Sequence, residues 1–155
     1  MPDVKFVYVT YIRTTPEKVW AALTDGEMAK DYWGRHQNLS DWNSGSPWSH
    51  VDCDSGIADV EGTVVEAEAP NRLVLTWDTK TPGYQTAVPS RVTFSIEPFM
   101  DAVKLTVIHE ELDSGSPLYQ ALSQGWPAIL SSLKTMLETG DALSMTKRRW
   151  HKPAK

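Results

Sequence analysis

The chain has 155 residues, 41% hydrophobic and 23% charged, which are the proportions of a soluble globular protein with one domain and a real core. Its net charge of −5 hides an asymmetry: Lys147, Arg148, Arg149, Lys152 and Lys155 crowd the last nine positions, leaving residues 1–146 with 10 basic and 20 acidic side chains. A body that acidic excludes nucleic acid and anionic membranes as partners; no apolar run is long enough for a membrane span or a signal peptide, and the lone Cys53 excludes an internal disulfide and fits a cytoplasmic setting.

Phe6–Ile12 is β-branched and aromatic throughout and is predicted to be a strand. Thr15-Pro16-Glu17 then supplies an N-cap, a first-turn proline and a first-turn acid for a helix carrying Val19, Trp20 and Leu23. Asp25-Gly26 ends it, and Glu27–Trp33 is expected to form a second short helix. From Gly34 to Glu111 the hydrophobic period changes to two. The predicted strands are Arg35–Asp41, Pro47–Asp52, Asp59–Ala67, Arg72–Asp78, Ser90–Glu97 and Ala102–Glu110, separated by turn-forming groups such as Asn43-Ser44-Gly45 and Pro82-Gly83. Short links between successive strands imply an antiparallel meander. Alternation places Leu73, Leu75 and Trp77 on one face, and likewise Val92, Phe94 and Ile96, then Val103, Leu105, Val107 and His109. Gly62, inside a strand, predicts a bulge.

Ser116–Gly140 is the longest element, with Ser116 as N-cap, Pro117 at the first helical position and Gly140 as the left-handed stop. Leu118, Leu122, Trp126, Ile129, Leu133 and Met136 recur at spacings of three and four and define one apolar face. Pro127 cannot donate to the Ser123 carbonyl, which predicts a bend nearby. The order of strand, two short helices, six strands and long helix makes this an α+β protein, with the helix laid on the concave side of a curved sheet. The expected division is one domain over residues 1–141 and a basic tail over 142–155, either solvated or docked on the acidic body.

That order, with Thr15-Pro16-Glu17-Lys18-Val19-Trp20, Tyr32-Trp33, Gly62-Thr63-Val64-Val65-Glu66, Pro70-Asn71-Arg72-Leu73 and Arg91 to Pro98, resembles the START-like helix-grip superfamily. Gly125-Trp126-Pro127 through Leu133-Lys134 to Leu137-Glu138 carries the strongest likeness, to the branch similar to the activator of heat-shock-protein-90 ATPase. The resemblance spans roughly residues 5–140. It implies a seven-stranded sheet gripping the C-terminal helix around an elongated cavity, which in relatives receives lipids, polyketides or other apolar ligands. The eukaryotic activator resembles this chain in only one of its domains and needs another to engage its chaperone. No stretch here corresponds to that other domain, which sets the ligand-binding reading ahead of the co-chaperone one.

Seven tryptophans are many for this length, and Trp33, Trp42, Trp48, Trp77 and Trp126 fall where a cavity could lie. The leading expectation is a non-enzymatic binder of a small apolar molecule, with Trp33, Trp48, Trp77, Trp126 and Leu130 as walls and His36 and His109 as polar handles. A wall position implies incomplete burial of Trp126. Two alternatives stay open: a cyclase- or hydrolase-like enzyme using His109 with Tyr11 or His36, and a protein-interaction module with an exposed apolar patch. Homodimerisation stays open as well. His36, His50 and Cys53 match no familiar zinc spacing, Asp52 opens no calcium loop because its twelfth position is Thr63, and no nucleotide motif is present, so no cofactor is expected.

Overall fold

A computed structural model describes residues 4–148. In chain order the elements are β1 (Val4–Ile12), α1 (Pro16–Thr24), α2 (Gly26–Tyr32), β2 (His36–Leu39), β3 (Pro47–Asp52), β4 (Ala58–Glu68), β5 (Arg72–Thr79), β6 (Ser90–Phe99), β7 (Ala102–Leu112) and α3 (Pro117–Thr139), followed by a 3-10 turn at Ser144–Thr146. The strands form one antiparallel sheet in the order β1-β7-β6-β5-β4-β3-β2. The meander from β2 to β7 needs only short links, while α1 and α2 carry the chain from β1 at one edge to β2 at the other. Thr15 caps α1 by accepting from Lys18 N, and Asp25 both ends α1 and caps α2 through Glu27 N.

The inner face of the sheet follows the alternation. Leu73, Leu75, Trp77, Val92, Phe94, Ile96, Val103, Leu105, Val107 and His109 are all buried, so no strand has slipped by a residue. Ser116 accepts from Tyr119 N to start α3, and Gly140, at φ 92°, stops it. The helix runs without a break through Pro127, and Leu118, Trp126, Ile129 and Leu133 of its apolar face are buried in the core. Its C-terminal half is tethered to the end of β1: Lys134 Nζ donates to the Tyr11 carbonyl at 2.6 Å, and Arg13 N donates to Glu138 Oε2 at 2.9 Å.

Three expectations are corrected. The strand expected over 35–41 shrinks to His36–Leu39, because Gly34, Arg35 and Trp42 all take positive φ angles and turn the chain out of the ladder. The bulges in β4 fall at Asp59 and Val65 rather than at Gly62, which stays in register opposite Trp48. Gly62 is there for space: a Cβ would sit 2.1 Å from the Thr76 carbonyl oxygen and 2.6 Å from the Trp48 indole nitrogen. The Trp48 N–H crosses that gap to donate to Thr76 O at 2.8 Å, while Thr76 Oγ1 accepts the Thr63 N–H. Finally, the packed body continues past Asp141. Thr146 is buried and donates to Asp31 O, Leu143 N donates to Ser132 Oγ, and Lys147 pairs with Asp141 at 2.5 Å. The rest of the expected tail, 149–155, lies outside the described residues.

Candidate binding cleft

Between α3 and the sheet the interior divides into a filled part and an open part. The filled part is built on Trp126, which is 1% exposed and meets Trp33, Trp77 and Phe94 with ring centroids 5.4, 5.7 and 5.8 Å apart. Its indole N–H donates to His109 Nδ1 at 3.2 Å, His109 Nε2 donates to Ser90 Oγ at 2.7 Å, and the serine hydroxyl donates to the Trp77 carbonyl at 3.3 Å. That chain of donors fixes one neutral tautomer of His109. Burial pushes its pKa down to about 3, because a charged ring would lose its hydration and point a second N–H at the indole N–H.

The open part is a cleft of about 940 Å³ at the N-terminal half of α3. Trp33, His50, Trp77, Leu118, Trp126 and Ile129 form its floor, and Asp59, Thr81, Tyr84, Gln120, Gln124 and Arg148 belong to its more polar rim. Aromatic rings dominate the floor, and polar side chains stand around it.

Two imidazoles stand at its wall, stacked in parallel with centroids 4.6 Å apart. His36 has both nitrogens engaged, Nδ1 with the Gly34 carbonyl at 2.9 Å and Nε2 with the Asp59 carboxylate at 2.5 Å. The bulge at Asp59 turns that carboxylate toward the ring. His50 is 6% exposed and has one nitrogen engaged: its Nδ1 meets Asn38 Oδ1 at 2.8 Å, and Asn38 Nδ2 donates to the Leu23 carbonyl at 3.0 Å. Burial, helped by the neighbouring His36, holds His50 well below the usual histidine range.

Of the seven residues expected at the site, Trp33, His36, Trp77 and Trp126 line this cleft. Trp48, His109 and Leu130 do not: they are fully buried behind it, Trp48 tied to Thr76 and His109 locked between Trp126 and Ser90. The incomplete burial expected of Trp126 is corrected, since it is 1% exposed although it lines the cleft. The polar pairs considered for catalysis do not converge either. Tyr11 points outward, its ring tilted against Phe99 with centroids 5.2 Å apart, and both nitrogens of His36 are occupied. No group of three metal-ligating side chains occurs among the described residues, and burial raises the Cys53 thiol pKa, against nucleophilic use. Sequence reasoning weighed His50 only as a zinc ligand. Its parity with Trp48 along β3 places both on the inner face and was the available signal.

A curved seven-stranded antiparallel sheet gripping a long C-terminal helix, with a cleft beside that helix, defines a helix-grip α+β protein. The chain belongs to the family of activator of Hsp90 ATPase homolog 1-like proteins, whose family model matches residues 13–138. It is similar in fold to protein MLL2253 from Mesorhizobium loti, at 23% identity and TM-score 0.73 over 86% of this chain and 96% of that one. An HSP90 activator from Plasmodium falciparum matches at 17% identity and TM-score 0.71 over 86% and 95%. The Aha1 dimer from Colwellia psychrerythraea matches at 19% and 0.70 over 88% and 98%. No curated protein sequence matches the chain. No helix among the described residues is long and apolar enough to cross a membrane.

Proposed function

We propose that the protein binds a small, flat, mostly apolar molecule in the cleft and does not transform it. The observation that carries this reading is an open volume of about 940 Å³ floored by Trp33, Trp77 and Trp126 beside a buried aromatic block. The size is within the range of small-molecule pockets. The aromatic block behind the floor favours a compact ring system over a long acyl chain, because beyond Ile129 the helix packs directly on the sheet. The one acid–base pair described at the cleft, His36 with Asp59, has both ring nitrogens engaged within the protein, which favours binding over catalysis. Titration with the neutral fluorescent probe N-phenyl-1-naphthylamine tests the reading. Saturable one-to-one binding with a raised melting temperature supports it; no binding at any concentration removes it.

A second reading is favoured by the outer face of edge strand β1. Val7, Val9 and Tyr11 form an exposed apolar row there, extended by Phe99 and Met100. Such a row suits a protein surface, either a second copy or a chaperone, as the names of two structural neighbours suggest for those proteins. Sedimentation of the wild type and of Val9→Lys, alone and with a heat-shock-protein-90 chaperone, tests it; identical monomeric behaviour throughout removes it.

A further inference from the structure

Asn38 and His50 give the cleft a chemical preference. The Asn38 amide cannot turn freely, because its Nδ2 is held on the Leu23 carbonyl, so Oδ1 is the atom presented to His50 Nδ1. An acceptor facing Nδ1 requires the proton to sit there, which leaves Nε2 as a bare lone pair. Nε2 has no partner among the described residues. It is not sealed in either, since among the described residues the one fully buried side-chain polar atom left without a partner is Thr14 Oγ1. His50 lines the cleft, so this nitrogen faces its open volume. Aromatic faces surround it: the His36 ring lies at 4.6 Å, Trp33 at 4.8 Å and Trp77 at 6.0 Å between centroids. The indole N–H groups of Trp33 and Trp77 likewise make no hydrogen bond among the described residues, whereas those of Trp42, Trp48 and Trp126 do.

We propose that the cleft selects neutral hydroxy-aromatic molecules, phenols and enols, by accepting their O–H at His50 Nε2, with Asn38 as the residue that positions the ring. The inference rests on reading the cleft as a ligand site and goes one step further, to the class of ligand. A ligand that fills the cleft displaces water from this lone pair, so one that brings an O–H to it replaces the lost hydrogen bond and one without a donor does not. A flat ring is suited to the surrounding indoles and imidazoles. A phenolic oxygen that donates to Nε2 keeps lone pairs for an indole N–H, a combination that a carboxylate, having no proton to give, cannot match. The depressed basicity of His50 keeps the pair as O–H to N, with no proton transferred.

Three probes of one skeleton test this at pH 7: 2-naphthol, 2-methoxynaphthalene and 2-naphthoate, titrated against the wild type by calorimetry. The naphthol is expected to bind about five- to tenfold more tightly than the ether, the factor that one neutral hydrogen bond carries. Without an acceptor the more apolar ether would bind at least as well. In protein labelled with ¹⁵N-histidine, the Nε2 resonance of His50 is expected to shift with naphthol and to stay with the ether. His50→Phe keeps a ring in place and should bring naphthol and ether to equal affinity. If that variant does not fold, the wild-type comparison and the resonance still decide. Equal binding of naphthol and ether by the wild type, or tighter binding of the naphthoate, would overturn the preference while leaving a binding cleft. Binding of none of the three removes the cleft as a site, and the preference with it.

Discussion

Two buried histidines on the same concave face have opposite fates. His109, on β7, has every polar atom answered from within the protein: an indole N–H on one nitrogen and a serine hydroxyl on the other. His50, on β3, is answered on one side only, by Asn38. Both are neutral for the same reason, removal from water, yet one is finished structure and the other still has a bond to make. The difference lies in what stands opposite each strand. Trp126 reaches down from α3 and fills the space over β7, whereas the first turns of α3 present Leu118, Ala121 and Gly125, small or set back, toward the cleft. A polar side chain at depth is therefore no sign of a site by itself; an unanswered atom beside open volume is the sign.

The contrast can be broken most severely at Trp126. Trp126→Ala is expected to cost about 3–5 kcal/mol in denaturant unfolding, since it empties a filled region and strands the lone pair of His109 Nδ1. A loss near 1 kcal/mol would mean that the block is as open as the cleft. Next in size is Gly62→Ala, which drives a methyl into the Thr76 carbonyl and the Trp48 indole and should cost about 3 kcal/mol by the same measurement. Acid sharpens the comparison in another way. The folded-state pKa values of His109 and His50 both lie below the unfolded value of about 6.5, so the unfolded chain takes up protons that the native state refuses. Stability is fully present above that value. As pH falls from about 6.5 toward 3, His109 alone should lower stability by about 1.4 kcal/mol per unit, His50 adds to the loss in the same direction, and His109→Phe should remove the first contribution. The smallest expected stability change comes from Ala121→Trp at the cleft. Stability should stay within about 0.5 kcal/mol, while binding of N-phenyl-1-naphthylamine is lost because the new ring occupies the opening.

Much of the architecture was written locally. Ser116, Pro117 and Gly140 mark α3 because caps act within one turn of chain, and the alternation in β5 to β7 sets the inner face because strand parity is strict. What escaped local reading depends on residues far apart in sequence. Gly62 resembled a bulge, but its lack of a side chain is required by the Trp48 indole passing to Thr76 across the neighbouring strand. His109 resembled a polar handle because nothing near it in sequence announces that Trp126 and Ser90 will use both its nitrogens. The importance of His50 turns on which way the Asn38 amide faces, and the Leu23 carbonyl decides that. Parity could place His50 inside; only the three-dimensional arrangement leaves its Nε2 without a partner.

The division between a filled block and an open cleft is tested most directly by following the indole N–H resonances of ¹⁵N-tryptophan-labelled protein during a 2-naphthol titration. Trp33 and Trp77, on the cleft floor, should shift progressively and saturate together. Trp48 and Trp42, whose N–H groups are held by the carbonyls of Thr76 and Thr24, should stay where they are. Shifts of equal size at Trp48 and Trp33, or no shift at Trp33 and Trp77 at saturating naphthol, would contradict the account.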